Sequence, residues 1–187
     1  MKPALVIIDI QNDYFPGGKM ELEGSPAAGL QAAKLLQGFR AKKLPLVHIQ
    51  HVSNRPGAIF FLPGTEGVNI HASVAPLAGE TVMQKSFPNS FRGTQLQEHL
   101  RGLGADHLVI AGMMTHMCVD ATTRAAFDLG FSCSLAHDAC ATRALAFGEQ
   151  RVPAAQVHAA FLAALAGLYA KVQDAAAIAA EIAALHP

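Results

Sequence analysis

The sequence predicts one α/β domain built on a mainly parallel sheet, with helices covering both faces. Strand-like and helix-like segments alternate along the whole chain, and that order joins parallel strands through helical crossovers. The opening segment Ala4 to Ile10 reads ALVIIDI, a β-branched apolar run fit for a strand buried on both sides. Apolar residues make up 51% of the 187, and charged residues only 15%, against the roughly 25% usual in soluble domains. Such a chain can bury a large core without disulfide or metal staples.

The elements follow in order. After Ala4 to Ile10, the polar stretch Gln11 to Gly18 ends in Pro-Gly-Gly and reads as a loop. Pro26 to Lys43 places Leu30, Lys34, Leu35 and Phe39 near one stripe, the spacing of a helix. Leu46 to Gln50 is a second strand. His51 to Gly79, rich in Gly, Pro, Ser and Asn, is too long for a plain connection, and its Phe60-Phe61 pair predicts partial packing. Thr81 to Gln84 is a third strand, Thr94 to Leu103 a helix closed by glycines, and His107 to Ala111 a fourth strand. Gly112 makes a turn, Thr115 to Leu129 a helix stopped by Gly130, and Phe131 to His137 a fifth strand. Pro153 to Gly167 is a helix with proline tolerated in its first turn. Tyr169 to Gln173 is a short last strand, and Asp174 caps a terminal Ala-rich helix reaching Leu185.

Bulk composition narrows the function. Net charge is zero with histidine neutral, so no long-range field draws in nucleic acid or an anionic membrane. Cys118, Cys133 and Cys140 are an odd set without CxxC spacing, which argues against a disulfide framework and a structural zinc site. No basic, cleavable apolar leader opens the sequence, and the apolar run Ala159 to Ala170 is too short to span a bilayer. The expectation is a cytoplasmic protein acting on a small molecule. Its low charge and Ala-rich helices further predict a homo-oligomer, a dimer or tetramer, although a plain buried helix has the same composition.

In an open parallel sheet, ligands bind beyond the carboxyl ends of the strands. Three reactive side chains fall there. Asp9 interrupts an apolar strand; partial desolvation suits a carboxylate to carrying a proton, and capping a nearby loop is the alternative role. Lys85 directly follows the third strand, either as a solvated lysine or as a cation holding Asp9 ionised, favouring a thiolate and steadying negative charge. Cys118 lies in the first turn of a helix after a strand and a glycine turn. The helix dipole and free N–H groups there lower a thiol pKa and can hold an oxyanion, whereas a small buried hydrophobe is the ordinary role of a cytosolic cysteine. Cys133 and Cys140 fit that ordinary role better.

The stretches IDIQNDYFPGG (Ile8 to Gly18), KSFPNSF (Lys85 to Phe91), GMMTHMCVDATTRAAFDLGF (Gly112 to Phe131) and HDAC (His137 to Cys140) together resemble the isochorismatase-like cysteine hydrolases, over nearly the whole chain. The resemblance implies a three-layer α/β/α sandwich around a mainly parallel six-stranded, Rossmann-like sheet. It implies a catalytic triad of Asp9, Lys85 and Cys118, oxyanion donors at the Thr115 and Cys118 amides, and a non-proline cis peptide at Met114–Thr115. The implied chemistry is hydrolysis of a C–N bond in a small amide, carbamoyl compound or lactam through a Cys118 thioester, with no cofactor required. The alternatives are a metal-dependent nicotinamidase, an isochorismatase and, outside enzymology, a thiol redox sensor. Zinc would fall on His51 and His71, near His48, but no Asp stands two residues before His51 as the nicotinamidase pattern would have it. Phe15, Phe61, Phe87, Phe91 and His116, with Tyr14, are the expected pocket lining, suited to a neutral, partly apolar substrate.

Overall fold

The computed structural model describes residues 1–185. Strands β1 (Pro3–Ile8), β2 (Leu46–His51), β3 (Thr81–Lys85), β4 (His107–Met113), β5 (Ser132–Ala141) and β8 (Lys171–Gln173) form one sheet in the order β3-β2-β1-β4-β5-β8. Every neighbouring pair in it is parallel. Strands β6 (Leu145–Phe147) and β7 (Gln150–Val152) form a separate antiparallel hairpin. The helices are α1 (Ser25–Ala41), α2 (Leu96–Gly102), α3 (Asp120–Asp128), α4 (Ala154–Ala166) and α5 (Ala175–Ala183).

Period-two alternation divides the core into two layers. Leu5 and Ile7 of β1, with Val109 and Ala111 of β4, meet Ala32, Leu35, Leu36 and Phe39 of α1 and Ile178 and Ile182 of α5. Ala4, Val6 and Ile8, with Leu108 and Ile110, meet Leu96 and Leu100 of α2, Ala126 of α3 and Leu165 of α4. All six residues of β1 are buried, as a central strand covered on both faces requires. Burying one side chain such as Phe39 contributes roughly 1.5–3 kcal/mol. Asp174 does cap α5, its side chain accepting from the Ala177 amide at 2.6 Å. Among the described residues, no helix is long and apolar enough to cross a membrane.

Several boundaries differ from the sequence pattern. β1 stops at Ile8 because Asp9 turns into the left-handed region (φ 51°), and α1 ends before Lys43, which does the same (φ 53°). The long loop contains two short 3-10 turns, Glu66–Val68 and Ala72–Val74. The single helix expected from Thr115 divides into a π-type turn, Thr115–Val119, followed by α3. β5 runs to Ala141 through a register shift: Ile110 pairs with Leu135, but Gly112 pairs with Cys140. The β6–β7 hairpin has no alternating apolar signature and was not expected; its turn passes through Gly148 (φ 59°).

Sheet order changes direction between β1 and β4, since β2 and β3 lie to one side and β5 and β8 to the other. The crevice beyond the carboxyl ends of these two strands is where this class of sheet binds ligands.

Candidate active site

Asp9 leaves β1 with its amide still donating to the Ile49 carbonyl at 3.1 Å. Aspartate tolerates the left-handed backbone better than most non-glycine residues. Lys85 closes β3, in register with His51 at the end of β2. Its Nζ reaches past β2 and donates to Asp9 Oδ2 at 2.7 Å and to His51 Nδ1 at 3.1 Å. Both charged side chains are fully withdrawn from water. An Asp9 oxygen, a His51 ring nitrogen and Cys118 Sγ all lie within 4.8 Å of one another. Asp9 Oδ1 has no hydrogen-bond partner among the described residues. The structure therefore brings Asp9, Lys85 and Cys118 together.

The electrostatics correct one expectation. Burial, and then the negative charge of Asp9, push the Cys118 thiol well above its usual value, with Lys85 opposing. These causes favour the thiol over the thiolate, the opposite of the lowered value expected from a helix start. Burial works against the Lys85 charge, but Asp9 and Cys118 outweigh it and its pKa is raised. His51 is pulled down to about 4, first by burial and further by Lys85 and Arg55, against the pull of Asp9. A neutral His51 can accept from the Lys85 ammonium.

The polar residues after Asp9 hold the long loop in place. Gln11 Oε1 accepts from the His51 amide at 2.7 Å, and its Nε2 donates to the carbonyls of His51 (2.9 Å) and Val68 (2.7 Å). The Asp13 carboxylate accepts from the amides of Phe61 (2.6 Å) and Lys19 (3.1 Å). Gly67 passes so near that carboxylate that a Cβ there would lie 2.1 Å from its oxygen. Except for the Asp13–Lys19 bond, which spans six residues, these bonds join residues 40 or more apart in the chain, which local spacing does not reveal.

Backbone geometry builds the turn that carries Cys118. The non-proline cis peptide joins Met113 and Met114, one bond earlier than expected at Met114–Thr115. The amides of Met117 and Val119 donate to the Met114 carbonyl (3.0 and 3.2 Å), and Thr115 opens the turn, with no carbonyl inside the turn to receive its own amide. Thr115 Oγ1 bonds His158 Nδ1 of α4 at 2.9 Å, and His116 Nδ1 bonds Thr142 Oγ1. Cys133 is buried within β5, and Cys140 is buried where β5 pairs with Gly112 of β4.

A cavity of about 360 Å³ opens over Cys118. Tyr14, Met20, Ile59, Phe60, Pro88, Met114 and Met117 supply its apolar wall; His51, Ser53, Asn54, Ser86, Arg55 and Arg143 supply polar groups. Of the expected aromatics only Tyr14 is among them. Phe15 is buried against His71, Phe61 lies beneath Tyr14 at 4.5 Å, and Phe91 faces Phe131 in the second core layer. Phe87 is exposed under the Arg92 guanidinium, and His116 turns away to Thr142. Nearness in sequence to Lys85 and Cys118 misled here, because neighbouring side chains point to different sides. Arg143 lies just past β5; with that strand read as ending at His137, the strand-end rule could not find it.

Among the described residues, His71 does not join His51 in a group of metal-ligating side chains. The His71 ring lies flat on Phe15, 3.5 Å between centroids, and its Nδ1 is engaged by Ser73 Oγ at 2.9 Å. His51 stands instead with Asp9 and Cys118, a group whose ligand atoms are close enough together to hold a metal ion, and the Lys85 ammonium stands beside the same carboxylate.

Residues 3–177 match the Isochorismatase domain family. An isochorismatase family protein of Bacillus subtilis (strain 168) is 51% identical over 173 residues, 92% of this chain and 96% of the relative. A crystal structure of a protein from Oleispira antarctica superposes with a TM-score of 0.92 at 52% identity, covering 96% of each chain. A maleamate amidohydrolase of Pseudomonas putida is 32% identical over 144 residues, 70% of this chain and 68% of its own length. The parallel sheet, the crevice between β1 and β4 and these likenesses along nearly the full length agree: the chain belongs to the isochorismatase family of hydrolases.

Proposed function

We propose that the protein hydrolyses the C–N bond of a small amide that carries an anionic group, with Cys118 as nucleophile. The observation that carries this reading is the meeting of Asp9 and Lys85 with Cys118, which itself lines the cavity. Asp9 Oδ1 takes the thiol proton as Sγ attacks the carbonyl carbon, so no free thiolate need accumulate. The amides of Thr115 and Cys118 hold the oxyanion, and Lys85 supplies fixed positive charge close by. Asp9 returns the proton to the nitrogen as the C–N bond breaks, leaving a thioester and a free amine or ammonia. Water, deprotonated by Asp9, then cleaves the thioester, releasing the acid and restoring the thiol.

Arg55 and Arg143 alter the expected substrate. Guanidinium groups stay charged and fit carboxylates in a forked geometry, so a cavity with two of them favours an anionic partner over the neutral amide expected from sequence. Maleamate, the substrate named for one relative, joins an amide to a carboxylate. A thiol that is 4% exposed with a raised pKa is poorly suited to redox sensing, which uses accessible low-pKa thiols.

An ammonia-release screen over paired neutral and carboxylate-bearing amides tests this reading. Release is expected from the anionic members and should fall to background in Cys118→Ala. Wild-type release by that variant on a confirmed substrate would overturn the assignment.

A further inference from the structure

Tyr14 carries a polar atom that the proposed chemistry leaves unassigned. Its ring is clamped by Phe61 and Phe60, with centroids 4.5 and 5.9 Å away. Its backbone is fixed as well, the amide donating to the Gln11 carbonyl and the carbonyl accepting from Leu22, both at 3.0 Å. The residue is 1% exposed, yet it lines the cavity over Cys118. Among the described residues its hydroxyl has no hydrogen-bond partner, and it is not one of the polar atoms sealed from solvent, so it opens into the cavity. The charges near it are Asp9 and Asp13 on the negative side and Arg143 on the positive side, joined by Cys118 only when that thiol is ionised. Burial foremost keeps the group a phenol, raising its pKa well above the ordinary value, so it enters the cavity as an O–H donor.

A donor that faces a cavity without an acceptor from the protein is available to one brought in by a ligand. A ring packing role would be filled equally by phenylalanine. The oxygen is what needs a reason, and a rigidly held donor orients a ligand at little entropic expense. We infer that the Tyr14 hydroxyl donates a hydrogen bond to the anionic group of the substrate, beside Arg143, and so sets the preference for charged over neutral amides. This rests on the reading of the site as one for an anionic amide, and it adds Tyr14 as a specificity-determining residue.

Succinamate and succinamide share one skeleton and differ by a carboxylate in place of an amide. Their binding is measured by calorimetry to Cys118→Ala, which does not require turnover, and to Cys118→Ala/Tyr14→Phe. Cys118→Ala should bind succinamate more tightly; the added Tyr14→Phe should weaken succinamate about tenfold, as loss of one hydrogen bond to a charged group does. Succinamide affinity and the melting temperature should not move. If the double variant keeps the full preference for succinamate, the assignment of Tyr14 is wrong. Equal weakening of both ligands with a lowered melting temperature would make Tyr14 a packing residue and also overturn it. Should Cys118→Ala bind the two ligands equally, or neither, the anionic-amide reading itself fails, and this is seen in the parent variant rather than the double one.

Discussion

Asp9 and Lys85 are both removed from water, and each is tolerable there because of the other. Their 2.7 Å bond joins side chains with no exposed surface. Removing one partner of such a pair leaves an uncompensated buried charge and costs about 3–5 kcal/mol. Asp9→Asn is therefore expected to lower the unfolding free energy by about that amount and to abolish turnover, as read from urea unfolding and amide hydrolysis. A variant as stable as the parent would show that Lys85 finds another counter-charge. The sequence offered Lys85 as a cation able to hold Asp9 ionised, beside an ordinary explanation for each residue. The parallel register across β2 is what joins them. His51, read as a weak metal-ligand candidate, also accepts from the same ammonium.

At the scale of the element, the strand-to-turn passage after β4 is the most constrained part of the fold. Gly112 sits at φ 147° opposite Ile8, and a Cβ there would stand 2.1 Å from the Ile8 carbonyl oxygen. The clash is with backbone in the two central strands, so it cannot be relieved by turning a side chain. Gly112→Ala is expected to destabilise the protein by about 3 kcal/mol and to impair activity by shifting the turn that carries Cys118; thermal unfolding measures the first. A melting temperature unchanged from wild type would refute the backbone argument. The sequence pattern located this element as strand, glycine turn and helix start. It misplaced the cis peptide by one bond and missed the π-type turn, since neither leaves a periodic trace. The β5 extension was missed for a related reason: Asp138 in its polar HDAC segment accepts from the Ala175 amide at the start of α5, a long-range partner that lets a polar residue lie inside a strand.

Across the whole molecule, buried histidines govern the response to acid. His48, His51, His107, His116 and His158 all have lowered pKa values, burial being the first cause in each. The unfolded chain protonates histidine near 6.5 and the folded chain only at lower pH, so the unfolded state binds more protons in that window. Stability is full above about pH 6.5 and falls as pH drops, the His51 share being lost by about pH 4. Glu80, held down to about 2 mainly by its hydrogen bond from Arg40, adds a further loss only below the usual carboxylate range. Urea midpoints at pH 7.5, 5.5 and 4.5 should decline in that order, and less steeply in His51→Gln. A flat profile would mean that these histidines charge without opening the fold.

By itself the sequence determined the α/β class, the succession of most elements, and the three strand-end residues that converge beside the cavity. Periodicity, β-branched runs and glycine stops are local, and they report local conformation and burial faithfully. Tertiary structure alone decided what surrounds those residues: the order of strands that creates the crevice between β1 and β4, the arginines and methionines of the cavity, and the burial that pushes the Cys118 thiol up. Those properties depend on distances between residues far apart in the chain, and on how much water their packing excludes. Phe87 and Phe91 show the difference plainly, since they neighbour Lys85 in sequence yet turn to solvent and to the second core layer, while Arg143 and Tyr14 reach the cavity from distant segments.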